Sequence, residues 1–333
     1  MNCRRSGLLT GLVVWLLAAA PLGAQVVRLP AVMPPSEAYP GELTSLPDSS
    51  VNLLEPLLEQ AEPVNPDRPP DARDSVFQKL IFTATWLDSG SSHGFGVTSL
   101  DLKTVLGFPI PSRRSPLVIT PCFAVNYLEG PAGADLPPRV YDTGMQFRWW
   151  KRFTPRFGID FSVTPGVFSD FEQSSDEALR ISGHVAAMYE CSETTKIILG
   201  VSYLDREDVG VLPVAGLIWT PTEDLKFELV APRPRIAKRI YWSGACTDDV
   251  QDWLYVAGEF GGGSWAIRRA DGSNDVVTYQ DYRVIVGLER WTLVGMDARL
   301  EIGYVFGRKI QYGSATPDLD PSDTVMLRGG LTF

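Results

Sequence analysis

The chain is poor in the residues that most often carry chemistry. It has two histidines and four cysteines, and after Leu8 to Ala20 no apolar run is long enough for a spanning helix. With no CxxC pair and no Cys/His cluster, neither a metal site nor any other cofactor is expected. Cys122, Cys191 and Cys246 are odd in number and far apart, so they are read as small apolar side chains in or near strands rather than as a disulfide framework. A basic excess is missing too: 30 Lys+Arg stand against 40 Asp+Glu, a formal net charge of −10. That balance disfavours a nucleic-acid partner, which needs a basic footprint. Gly261-Gly262-Gly263 lacks the strand-to-helix setting of a phosphate loop and reads as loop or bulge at a strand end.

What is present divides the chain into three. Arg4 and Arg5 precede the apolar run, and the small-residue exit Pro21-Leu22-Gly23-Ala24 follows it. Residues 1–24 therefore read as a secretory signal peptide cut after Ala24. Residues 25–75 are acidic and punctuated by prolines from Pro30 to Pro70. They offer too little recurring apolar surface to offset chain ordering, and are expected to be a disordered periplasmic segment. From residue 76 to 333 the hydropathy repeats every second residue, in segments of about ten separated by turn chemistry, as tilted membrane strands require.

The last nine residues show the pattern best. Val325, Leu327, Gly329, Leu331 and Phe333 alternate with Met326, Arg328, Gly330 and Thr332, and the chain stops on an aromatic carboxy terminus. Phe333, Leu331 and Leu327 read as the assembly signal of a closing barrel strand, addressed to the barrel-assembly machinery. Elsewhere Leu300, Ile302 and Tyr304 oppose Arg299 and Glu301, and Tyr282, Val284 and Val286 oppose Asp281 and Arg283. Apolar residues are expected to face outer-membrane lipids and ionised ones the lumen, because arginine in hydrocarbon costs roughly 2–4 kcal/mol near the midplane. On this facing Leu327→Arg impairs assembly and Gly330→Arg is better tolerated. Trp149, Trp150, Trp219, Tyr241, Trp242, Trp291 and Tyr127 cluster where strands end and are candidates for the interfacial girdles.

The fold class is thus all-β: a single transmembrane antiparallel up-and-down barrel of about fourteen strands. The uncertain points are Ala231-Pro232-Arg233-Pro234-Arg235 and Ser243 to Asp252; a miscount there makes twelve. Strands are placed near 253–262 and 276–290, with a polar loop between Gly263 and Asp275.

Three stretches carry a family resemblance: Asp281 to Glu289, Glu301 to Lys309, and Pro232-Arg233-Pro234-Arg235. The chain after residue 75 resembles an uncharacterised family of planctomycete-type bacterial proteins, catalogued as a domain of unknown function. That resemblance implies an outer-membrane barrel in a Gram-negative type envelope and no catalytic residues.

Three functions remain open. A porin-like channel would pass small solutes along a lumen lined by Asp142, Arg148, Asp160, His184, Glu228, Arg239, Glu259, Asp281, Arg283, Glu289, Arg299, Glu301 and Arg328. The same charges could instead pair off and fill a closed structural barrel. A lipid-modifying enzyme would need a nucleophile and a base on the outer wall. Only His93 and His184 can supply imidazole. His184 projects inward with Ser182, which counts against that third class.

Overall fold

The computed structural model describes residues 75–90, 94–112, 115–131, 133–172, 176–206, 209–243, 249–292 and 295–333. The expected signal peptide, almost all of the proline-rich segment, His93 and Cys246 lie outside the described residues. Fourteen strands follow one another: β1 (Phe77–Leu87), β2 (Gly96–Ser112), β3 (Ser115–Glu129), β4 (Arg139–Thr154), β5 (Phe157–Ser169), β6 (Leu179–Ser192), β7 (Thr195–Tyr203), β8 (Val211–Thr222), β9 (Leu225–Ala231), β10 (Arg235–Trp242), β11 (Val250–Arg268), β12 (Asn274–Thr292), β13 (Asp297–Tyr312) and β14 (Thr324–Thr332).

Each strand pairs antiparallel with its neighbour in sequence, and β14 returns to β1 through Phe82↔Leu331 and Leu87↔Met326, so the sheet is a closed barrel. Closure leaves no sheet edge in hydrocarbon, the condition under which strands can cross a bilayer. The dyad patterning becomes two surfaces. Leu300 is 65% exposed while Arg328 on the adjacent strand is 1% exposed. Exposed apolar side chains such as Phe82 on β1, Phe123 on β3, Phe161 on β5, Leu199 on β7, Val256 on β11 and Ile302 on β13 run right round the ring, the belt of a transmembrane barrel.

The twelve-strand alternative is resolved at the proline-rich turn. Glu228↔Arg235 pairs β9 with β10, and residues 232–234 turn the chain between them, while residues 229–231 continue β9 against β8. At seven and eight residues these two strands are the lowest part of the wall. The hairpin tip sends Arg233 inward, where it is 8% exposed.

The expected loop from Gly263 to Asp275 is a correction. β11 and β12 run on as a nineteen-residue pair, through Ile267↔Asp275 to Arg268↔Asn274. Residues 261–267 and 275–279 are buried on both faces. With no solvent or lipid face to distinguish, they carry no period-two signal, and a glycine run there imitates a turn. Three girdle candidates are also reassigned. Trp150 and Trp291 fall on inward positions and are buried, and Trp242, paired with the inward Gln251, is exposed on the lumen side, whereas Tyr127, Trp219 and Tyr241 are exposed outward. On β13 the alternation holds through Val305. A bulge at Gly307 (φ +59°) then turns Arg308 inward and leaves Gly307 exposed.

Candidate functional site

All thirteen charged or imidazole candidates sit on the lumen face, and twelve of them are buried, Arg239 being half-buried. They form separate groups. The largest spans β9 to β14. Cross-strand register sets Glu259 directly opposite Arg283, Glu301 opposite Arg328 and Glu289 opposite Arg299, the placement in which opposite charges meet most closely. Arg328 joins the first two pairs, with Nη2 2.9 Å and Nη1 3.1 Å from the Glu259 carboxylate and Nη1 2.8 Å from Glu301. Arg283 donates to Glu259 at 3.0 Å and in a fork to Asp281 at 2.6 and 3.0 Å. Arg233, from the β9–β10 tip, reaches Glu259 at 2.9 Å.

Arg235 and Tyr255 complete this group. Arg235 lies 2.7 Å from Glu289, and its guanidinium stacks 4.0 Å above the Tyr255 ring. The Tyr255 hydroxyl donates to Glu301. Gly287 makes room for that ring, since a Cβ there would lie 2.2 Å from Tyr255 Cζ. Glu228 faces Arg235 across the β9–β10 pair. Arg239 sits lower, 3.2 Å from Gln251 and stacked on Trp242 and Trp253.

A second group occupies β4 to β6. Arg148 grips Asp160 through Nε at 3.1 Å and Nη2 at 2.8 Å. His184 bridges Asp160, 3.1 Å from Nε2, and Ser162, 2.8 Å from Nδ1. Ser, His and Asp in contact invite comparison with a hydrolytic triad. Here, however, Ser162 is 1% and His184 4% exposed, and they lie on the lumen side of a wall whose other side meets lipid. This set cannot reach a membrane lipid.

The third feature lies at the end of the barrel opposite the start of β1. Above Gly258 β11 has no β10 partner, and, still paired to β12, which stays bonded to β13, it reaches β5, where Ala266 pairs with Ser169 although the two strands are not neighbours in the ring. The Asp170 N–H donates to the Ala266 carbonyl at 3.2 Å, and the Arg268 N–H to the Asp170 carboxylate at 2.7 Å. Trp265 donates its indole N–H to Asp142 on β4 at 2.5 Å, and Asn126 donates to the same carboxylate at 2.6 Å. Arg269 pairs with Asp135 at 2.9 Å, and Arg206 donates to the Gly262 carbonyl at 2.7 Å. Arg308 and Tyr312 on β13 reach the carbonyls of Phe95 and Ala134. Beneath these contacts Phe95, Phe168, Trp265, Ile267, Tyr279 and Ile310 pack as an apolar core inside the barrel.

The departure from the wall begins at the glycine run, which therefore lies within β11 and not at its end. Gly262 has φ +124°, and a Cβ on it would stand 2.0 Å from the Tyr279 carbonyl oxygen. Only glycine fits both conditions. At the hairpin tip, the Ser273 hydroxyl and N–H hold the Asp271 carboxyl below its usual range. That contribution to the turn is present above the unfolded-state value and fades as pH falls through the folded one.

No protein-family model and no curated protein sequence matches this chain. Among solved structures, a bacterial polysaccharide outer membrane secretin aligns over 77% of this chain and 97% of its own, at 13% identity and a TM-score of 0.37. A mutant of the monoaromatic hydrocarbon channel TodX aligns over 76% and 88%, at 9% identity and a TM-score of 0.31. At those values neither likeness informs the site, and the closed ring rests on the strand pairings.

Several members of these groups escape sequence reasoning. Arg233 and Arg235 lie in the ambiguous proline turn, Trp265 in the expected loop, and Arg308 beyond a bulge that reverses its facing. Asn126 and Tyr255 carry the right alternation, but an uncharged side chain gives no sign that it serves a charge network. One consequence is measurable. Trp265→Phe removes the donor to Asp142 while keeping an aromatic ring, and is expected to loosen the crossing hairpin by about 1–3 kcal/mol. Amide exchange of residues 262–268 then accelerates roughly tenfold to a hundredfold, and exchange in lower β12 is unchanged.

Proposed function

We propose that this protein is a gated outer-membrane channel for small polar solutes, shut at its outer end by the β11–β12 hairpin. The observation that carries the reading is the crossing itself: one glycine-hinged hairpin bridges β11 to β5 through a few side-chain and main-chain bonds. A ring of eight strands is filled by its own side chains, whereas a wider ring encloses more space than they occupy. Fourteen strands therefore leave an interior that the crossing part of β11 occupies, and while β12 stays paired to β13, the bonds that hold β11 to β5 and β4 are few enough to break. The outer-membrane address is supported by the apolar belt and the signal-like amino terminus. Membership of the planctomycete-type family belongs to the same proposal.

Planar-bilayer conductance tests it. The whole protein is expected to open rarely. A variant that joins Gly261 to Asp281 through Asn-Gly, at positions already paired across the hairpin, is expected to conduct steadily. Silence of both, with heat-dependent gel mobility intact, means a closed structural barrel in which the buried ion pairs are filling.

A further inference from the structure

The Ala266↔Ser169 pairing divides the ring into two lobes at its level. The larger runs from β11 through β14 and β1 to β5, and the apolar core of Phe95, Val140, Phe168, Ile267, Tyr279 and Ile310 packs inside it. The smaller is walled by β6 to β10. Where β5, β6 and β7 meet, just below the crossing, its inner face is polar. Lower down it turns apolar, with Ala186, Met188, Ile198 and Val214 packed together.

Register builds the polar patch in two rows. Thr164 stands opposite Ser182, and Ser162 stands opposite His184, which is in turn opposite Ser202. Directly opposed side chains start about 5 Å apart, so the rows make one patch roughly 10 Å wide, two interstrand spacings. All five residues are buried on the lumen face. His184 is already bonded to Ser162 and Asp160. The Thr164 and Ser202 hydroxyls, on opposite sides of the patch, have no hydrogen-bond partner among the described residues. Burying an unbonded hydroxyl is unfavourable, and two of them turned into one patch point to a ligand from outside the chain.

The roof and the charges narrow its chemistry. Arg180 donates to the Asp205 carbonyl at 2.6 Å, and Arg206, one residue on, to the Gly262 carbonyl of crossing β11 at 2.7 Å. Withdrawal of β11 therefore uncovers the patch. Asp160 is held by Arg148 at 2.8 Å and Arg180 lies beside the Asp205 loop, so hydroxyls, not net charge, define the surface. A hydroxyl both donates and accepts. The solute that matches several of them, with no charge to neutralise, is itself a neutral polyhydroxyl compound.

We propose that Thr164, Ser182 and Ser202 form a binding site for a neutral sugar of one or two rings, inside the smaller lobe and beneath the crossing strand. The proposal rests on the channel reading for the solute's way in. Saturation-transfer NMR on the whole protein in a sugar-free detergent tests it, with glucose and sucrose as probes and gluconate as the charged control. A saturable sugar signal is expected, stronger in the shortened-hairpin variant, where the roof is gone. Thr164→Val and Ser202→Ala are each expected to weaken sugar binding roughly fivefold, the effect of one net hydrogen bond. Their urea midpoints stay level or rise, because each removes an unbonded buried hydroxyl. No saturable sugar signal in either protein, tighter binding of gluconate, or unchanged sugar binding in both substituted proteins overturns the site. So do lowered midpoints, which would make these hydroxyls part of the fold. Steady conductance without sugar binding removes the site and leaves the channel, and sugar binding to a protein silent in bilayers removes the channel and leaves the site.

Discussion

Arg328→Ala is expected to destabilise the folded barrel by about 3–5 kcal/mol, the usual consequence of removing one partner from a buried ion pair. Arg328 is 1% exposed and sits between two carboxylates, Glu259 and Glu301, each within 3.1 Å. Its loss leaves Glu301 with the Tyr255 hydroxyl as its one close donor, its remaining cations being Arg299 at 3.7 Å and Arg233 at 4.0 Å, too far for strong hydrogen bonds. Glu259 keeps Arg233 and Arg283, so most of the damage falls on the Glu301 side. Arg328→Lys restores the charge but not the fork of donors, and is expected to recover only part of the loss. Urea midpoints in detergent, read by the heat-dependent gel shift, rank the three proteins. Equal midpoints for wild type and Arg328→Ala would show that the network is solvated and carries little.

Leu327→Arg is expected to cost about 2–4 kcal/mol and to lower the assembled fraction in liposomes. Leu327 is 46% exposed on the outer face, flanked by Trp86 on β1 and Ile302 on β13. An arginine there must leave water for the apolar belt, with no inward partner within reach of an outward side chain. Leu327→Phe keeps the surface apolar and is expected to assemble normally. The expectation that Gly330→Arg is tolerated does not survive the structure. A Cβ at Gly330 would lie 3.2 Å from the Arg299 guanidinium, so the new arginine meets a like charge in packed interior. Both arginine variants therefore fail, for opposite reasons. Leu327→Arg assembling as well as Leu327→Phe would place this face out of the bilayer.

The sequence was legible wherever each side of a strand meets a different medium. Lipid on one side and paired charge on the other impose alternation, and along β14, lower β12 and β13 up to Val305 the facing could be read residue by residue. It failed where both sides meet protein. Residues 261–267 and 275–279 carry no alternation because nothing there faces lipid, and Gly261-Gly262-Gly263 looks like a turn when it is a bend within a strand. The bulge at Gly307 reversed the facing of Arg308 for a related reason: one extra residue shifts the parity, and only the register with β12 records the shift.

The sequence by itself determined an up-and-down ring of about fourteen strands, or twelve, with an apolar exterior and an ionised interior, because hydration energies differ so much between the two environments that each strand has one tolerable orientation. Tertiary structure decided which charges meet, since pairing depends on cross-strand register, and that Glu259, Arg283, Glu301 and Arg328 form one network while Arg148, Asp160 and His184 form another. It also decided that upper β11 crosses the ring at the end opposite the start of β1. That crossing is a contact of β11 with β5 and β4, about a hundred residues earlier in the chain, made by Trp265, Asp142 and Asp170 only after the ring has brought them face to face.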